Sequence, residues 1–286
     1  MLKTRALSAL VFAPPLLVLV WVGGTPLFVA CLAIAALMLW EFLELTLGPG
    51  LPYLKAIGYV LGAGAALAMS GVATPRAVAV GTPIAILLLL VAILLRPDPI
   101  GQSIQRAGIL AVGAVYAAGL IQYLSLVRDL RSGLALALMA LFCTWGADTG
   151  AYFAGRFFGR HKLYPKISPG KTVEGLLGGL AAAVGVAFLV RALPALFPAA
   201  WHAPMRLDDP SFGPAALDGW QLVVIGAIAA LLGVAGDLSE SMLKRSVGAK
   251  DSSRLIPGHG GVLDRFDAVM FVAPGVYVFA MLALAG

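Results

Sequence analysis

Nine apolar runs, at residues 6–22, 26–47, 54–71, 77–95, 107–127, 134–158, 173–193, 220–238 and 262–284, constrain what this chain can fold into. Each comes close to the roughly 20 residues that a helix needs to cross the hydrocarbon core of a bilayer. With 60% apolar residues, well above the roughly 45–50% of a soluble domain, the chain reads as one membrane-embedded unit. The expected fold is all-α: a polytopic integral membrane protein of about nine transmembrane helices. Residues 1–130 would supply five helices for packing and lipid contact, and residues 131–286 four helices with the loops that carry chemistry. The first run is long for the apolar core of a signal peptide and the second follows almost at once, so an uncleaved helix is expected. Gly58, Gly62 and Gly64 predict that the third helix packs closely rather than facing lipid, and Gly175 with Gly179 predicts another tight helix contact.

The net charge of +6 is not the mark of a nucleic-acid partner. Most of the basic residues sit in short loops beside spans, and no basic patch is interleaved with exposed aromatics. With the N-terminus placed in the cytoplasm, fifteen Lys and Arg fall on that side and five on the other. That is the positive-inside bias, and it puts both charge-rich loops in the cytoplasm, where nucleotides are found. Cys31 and Cys143 lie inside apolar runs, which argues against a disulfide, a redox pair or a thiolate metal site.

Only 12% of the chain is charged, yet residues 237–267 hold four aspartates, a glutamate and five Lys or Arg. An ion in hydrocarbon costs about 2.5–3.5 kcal/mol on insertion scales, so such a concentration between two spans points to function. Asp237, Ser241, Lys244 and Arg245 follow helical spacing and share one face. The pattern suits a metal ligand beside phosphate-binding cations; a salt-bridged helix end joining Glu240 to Lys244 is the plainer alternative. Lys250 and Asp251 come next, then a Gly-rich turn around His259, Gly260 and Gly261 whose backbone N–H groups could cradle an anion. Asp264, Arg265 and Asp267 open the last helix.

A second loop begins inside the sixth span with Asp148, an intramembrane carboxylate and so a candidate site residue, with pairing to Arg156 as the alternative. Ser168, Lys171, Thr172 and Glu174 are expected to open the seventh helix, with Ser168 or Thr172 as its cap and Lys171 beside an anion site. Gly-Lys-Thr here is no P-loop, because the required upstream glycine is Pro165. Hard carboxylates near Lys and Arg suit Mg2+ on a nucleotide triphosphate. His259 stands far in sequence from His161 and His202, which speaks against zinc.

These residues resemble the phosphatidate cytidylyltransferases, also called CDP-diacylglycerol synthases. The pattern is Ser241-Met-Leu-Lys244-Arg245, four residues, Lys250-Asp251, five residues, Pro257-Gly-His259-Gly-Gly261, two residues, Asp264-Arg265-Phe-Asp267. The stretches Asp148-Thr-Gly-Ala-Tyr152 and Ile167 to Gly175 are similar to that family too, except that Gly170 stands where a basic residue is common. The resemblance implies a bacterial inner-membrane enzyme, its site facing the cytoplasm, that joins CTP and phosphatidic acid into CDP-diacylglycerol and pyrophosphate. It also implies Mg2+, a K+ beside it, contact with membrane lipids and a homodimer. Asp237 and Asp264 become the leading metal ligands, with Asp148 and Asp267 as further candidates. Catalysis would rest on Asp237, Asp264, Lys244, Arg245, Lys250 and Asp251. Substrate contacts would fall to Ser168, Lys171, Thr172, Ser241, His259, Gly260, Gly261 and Arg265. A CTP-dependent transferase acting on a prenyl lipid, or a transporter with an intramembrane ion site, are the competing readings.

Overall fold

Backbone polar groups find no water in hydrocarbon, so apolar runs of this length satisfy them internally as helices. The structure, a computed structural model, describes residues 13–95, 100–203, 206, 212, 217–253, 255–256 and 260–284. A short apolar helix α1 (Ala13–Val22) comes first. Eight helices long and apolar enough to cross a membrane follow: α2 (Gly24–Leu47), α3 (Pro52–Met69), α4 (Pro75–Leu95), α5 (Ile100–Arg128), α6 (Gly133–Phe158), α7 (Val173–Arg191), α8 (Gly219–Ser246) and α9 (Leu263–Ala283). The all-α membrane architecture read from the sequence is borne out. The beginning of the first predicted run, and much of the connection between α7 and α8, lie outside the described residues.

The buried core runs through the first half of α6, where Leu134, Leu136, Met139 and Leu141 are enclosed, and through Val269 to Val276 of α9. Between α6 and α7 the helices touch backbone to backbone. Gly150 lies against the Gly178 carbonyl and Ala182, and Gly178 against Ala154, so that a side chain at either would collide. The expected contact at Gly175 and Gly179 is made as well, on the Ala151 and Ala147 carbonyls. Helix α3 packs closely as expected at Gly58 and Gly62, against Leu43 and Leu39, and departs from its reading at Gly64 and over its outer faces. Leu54, Gly58, Gly62 and Ala66 form its one buried stripe, while Gly64 faces open space. Four residues at i, i+4 spacing cover a single face, which leaves the rest of the helix outward. Helix α4 is more peripheral still, with Leu89 its one buried residue.

Two further differences shape the site. Residues 162–172 fold as a hairpin, β1 (Lys162–Tyr164) antiparallel to β2 (Ser168–Thr172), rather than as the beginning of the seventh helix. Pro165 and Pro169 account for this, since each forces the residue before it, Tyr164 and Ser168, into extended backbone. And α8 runs unbroken to Ser246, about two turns beyond the apolar run that ends near residue 238. Asp237, Ser241, Lys244 and Arg245 therefore stand on one helix, as their spacing predicts.

The α6–α7 contact yields a test. A leucine at Gly150 is expected to cost about 1–3 kcal/mol through overpacking, read as a lower melting temperature of the purified protein in detergent. Gly64→Leu, which points into open space, is expected to leave that temperature unchanged.

Candidate active site

The end of α2, the start of α7, the end of α8 and the start of α9 meet at one rim of the bundle, joined by the polar contacts that follow. Gly236 makes the closest of these approaches possible, because a side chain there would strike the Asp267 carbonyl. Asp237, Glu240 and Asp267 are thereby drawn together, with one carboxylate oxygen from each within 4.8 Å of the others. Asp237 Oδ2 accepts Lys171 Nζ at 2.7 Å, and its Oδ1 accepts from Ser241 Oγ at 3.2 Å. Lys171 arrives from the last residues of β2, just ahead of Thr172, which caps α7 by accepting the Gly175 N–H at 3.1 Å.

Below this lies a second, more enclosed layer. Glu240 is 1% exposed and contacts Lys244, whose ammonium also donates to Asp264 Oδ1 at 2.5 Å. The other oxygen of Asp264 accepts three hydrogen bonds: Ser252 N at 2.8 Å, Ser252 Oγ at 2.6 Å and Gly261 N at 2.8 Å. Beside it Glu41, 0% exposed, comes in from α2. Its Oε1 accepts Ser253 Oγ at 2.6 Å and Val262 N at 2.8 Å; its Oε2 accepts Leu263 N at 2.6 Å and Ser252 Oγ at 3.2 Å.

Three carboxylates this close repel one another in a poorly hydrated site unless cations intervene. Lys171 and Lys244 supply part of that charge. Two observations show that the donor set also fits a divalent ion. One carboxylate oxygen each of Asp237, Glu240 and Asp267 lie within 4.8 Å of one another, and the buried hydroxyl of Tyr116, within electrostatic reach of Glu240, Asp267, Asp264 and Asp237, has no hydrogen bond among the described residues. All-oxygen donors of this kind suit a hard cation. Tyr116 sits in a π-helical turn of α5, Ala114–Gly119, the kind of irregularity that is frequent at functional sites.

Comparison with known proteins follows the same lines. The model of the cytidylyltransferase family matches residues 3–283. A phosphatidate cytidylyltransferase of Brucella suis is 35% identical over 279 residues, covering 97% of this chain and 93% of the relative. One of Staphylococcus haemolyticus is 34% identical over 96% of both chains. One of Haemophilus influenzae reaches 42% over 147 residues, about half of each. The chain belongs to the cytidylyltransferase family. The resemblance drawn from residues 237–267 is thus borne out.

In this cytidylyltransferase-family chain, the residues singled out from sequence divide into three groups. Asp237, Ser241, Lys244, Asp264, Asp267 and Lys171 are brought together. Asp148, on α6, joins them electrostatically through Lys171, Asp237 and Arg265; Arg156, its alternative partner, donates instead to the Tyr152 hydroxyl at 3.1 Å. Arg245, Lys250, Asp251 and Arg265 are exposed, Arg245 donating to the Ala249 carbonyl at 2.9 Å. Ser168 lies in β2 and Gly260 in a turn with φ +75°. The Gly261 N–H expected to face an anion is engaged by Asp264. His259 lies outside the described residues.

Three residues of the site were not read as such: Glu41, Tyr116, and Glu240 as a donor to a cation. Glu41 carried a signal, since it is a carboxylate inside an apolar run, the rule that marked Asp148. Tyr116 carried none. If Glu240 belongs to a cation site, Glu240→Gln is expected to weaken Mn2+ binding about tenfold or more, as titrated by electron paramagnetic resonance on the purified protein. Glu44→Gln, at a residue paired with Lys55 at 2.7 Å, is expected to leave it unchanged.

Proposed function

We propose that this chain transfers a cytidylyl group from CTP to phosphatidic acid, giving CDP-diacylglycerol and pyrophosphate. The observation that carries the reading is the convergence of Asp237, Glu240 and Asp267 beside Lys171 and Lys244 at the rim of a membrane-embedded bundle. A lipid head group and a water-soluble nucleotide can meet at such a rim and nowhere deeper. The names of the relatives support the same substrates. That rim also holds the charge-rich loops which the sequence count assigns to the cytoplasm, consistent with a bacterial inner membrane.

In this reading a phosphate oxygen of phosphatidate attacks the α-phosphorus of CTP. The bond from that phosphorus to the bridging oxygen breaks, and pyrophosphate leaves with the electron pair. A phosphate monoester is already ionised near neutral pH, so no general base is needed, in keeping with a site built of carboxylates and cations. The residues' task is to bring two polyanions together and hold them in line. Lys171 and Lys244 would neutralise phosphate charge from within the site, with Arg245, Lys250 and Arg265 adding to it from the exposed edge. Asp237, Glu240 and Asp267, with Asp148 and Asp264 close by, would hold Mg2+. When bound, that ion would supply charge neutralisation of the triphosphate and of the departing pyrophosphate.

Full-length protein incubated with CTP, Mg2+ and phosphatidate is expected to release pyrophosphate, with none when the lipid is omitted. Asp237→Asn is expected to lower the rate at least about 100-fold while the protein still inserts and purifies as the parent does. Release with a prenyl phosphate in place of phosphatidate would shift the substrate class. Solute flux without nucleotide turnover would replace the enzyme by a transporter.

A further inference from the structure

A fully buried carboxylate with no cation beside it among the described residues needs a reason to be there, since burying a charge costs several kcal/mol unless hydrogen bonds take the place of water. Glu41 meets that need with four donors, two backbone N–H groups and two serine hydroxyls. None of them belongs to its own helix. Val262 N and Leu263 N are free amides at the beginning of α9, where an anion is favoured by the helix dipole as well. Ser252 and Ser253 belong to the connection between α8 and α9. One side chain of α2 thus fixes both ends of the 252–263 segment.

The fixing reaches the site through Ser252. Its hydroxyl lies 3.2 Å from Glu41 and 2.6 Å from Asp264, and its single proton serves both carboxylates. Asp264 in turn holds Lys244, which contacts Glu240. The path Glu41, Ser252, Asp264, Lys244, Glu240 is continuous. Gly261 shows how closely it is fitted, because any side chain there would run into the Glu41 carboxylate and the Ser252 hydroxyl.

We infer that Glu41 is a positioning residue for cytidylyl transfer: by anchoring the 252–263 segment and the first turn of α9 it sets Asp264 and Lys244 in place. The inference rests on the function proposed above, and it gives the N-terminal helices, first read as packing and lipid-facing, a part in the chemistry. Glu41→Gln keeps the volume of the side chain but turns an amide group toward donors, so it loosens the anchor without opening a cavity. Two measurements on the purified full-length variant separate its consequences. Hydrogen exchange of the peptide covering residues 255–266 is expected to quicken. The kcat is expected to fall about 10–100-fold, the range for losing an outer partner of a metal site, with KM for CTP within about twofold of the parent.

Ser253→Ala, which removes one donor and leaves the buried carboxylate three, guards against a Glu41 variant that fails to fold. It is expected to quicken the same exchange and lower kcat about fivefold, the scale of one hydrogen bond. In the double variant that fivefold loss is expected to vanish, since the two residues act through one contact. Unchanged exchange in Glu41→Gln, quickened exchange with parental kcat, or a serine effect that persists undiminished in the double variant would each overturn the inference. A parent protein that releases no pyrophosphate from CTP and phosphatidate overturns the proposed function instead, and the exchange data still decide whether Glu41 holds the segment.

Discussion

Carboxylates gathered at the edge of hydrocarbon face two costs at once, desolvation and mutual repulsion, and bulk water relieves them only in part. In this protein five of them, Glu41, Asp237, Glu240, Asp264 and Asp267, are carried by three helices that meet at one rim. Three devices hold four of them. Asp237 leans on Lys171, Glu240 and Asp264 share Lys244, and Glu41 sits on the free amides of α9. What surrounds them serves these attachments. The hairpin between α6 and α7 delivers Lys171, and the lack of a side chain at Gly236 lets α8 and α9 close on each other.

The arrangement explains why the site contains so few conventional catalytic groups. Phosphoryl chemistry between two polyanions asks for charge balance and alignment rather than proton transfer. In the function proposed above, rigid, mutually tethered ions would provide both before substrate arrives, so that little reorganisation would be needed when it does. A buried network of this kind is demanding, because an unsatisfied member weakens all the rest. The hydroxyl of Tyr116 has no hydrogen bond among the described residues, and it lies beside the acidic cluster that could hold a cation.

Much of this was legible in the sequence. Apolar run lengths gave the membrane class and most helix positions to within a few residues. The spacing of Asp237, Ser241 and Lys244 on one helical face anticipated their common surroundings. What escaped was long-range. Nothing local to residues 26–47 says that Glu41 will meet amides more than two hundred positions away. The apolar run of α8 ends near residue 238, where the polar residues look like the end of a span; burial of Glu240 and Lys244 goes with a helix that continues unbroken to Ser246. The hairpin was missed although Pro165 and Pro169 both announce extended backbone, since the helix-start chemistry of Thr172 drew the reading further upstream than it reaches.

Helix α4, with Leu89 alone enclosed, has a different relation to its sequence from that of α6 or α8. Partition into the bilayer, rather than fit against neighbours, is what keeps it in place, so almost any exchange of one aliphatic residue for another satisfies it. A change along its length meets open space where one at Gly150 of α6 would collide with α7, and a single chain accordingly carries one segment written in composition beside others written letter by letter.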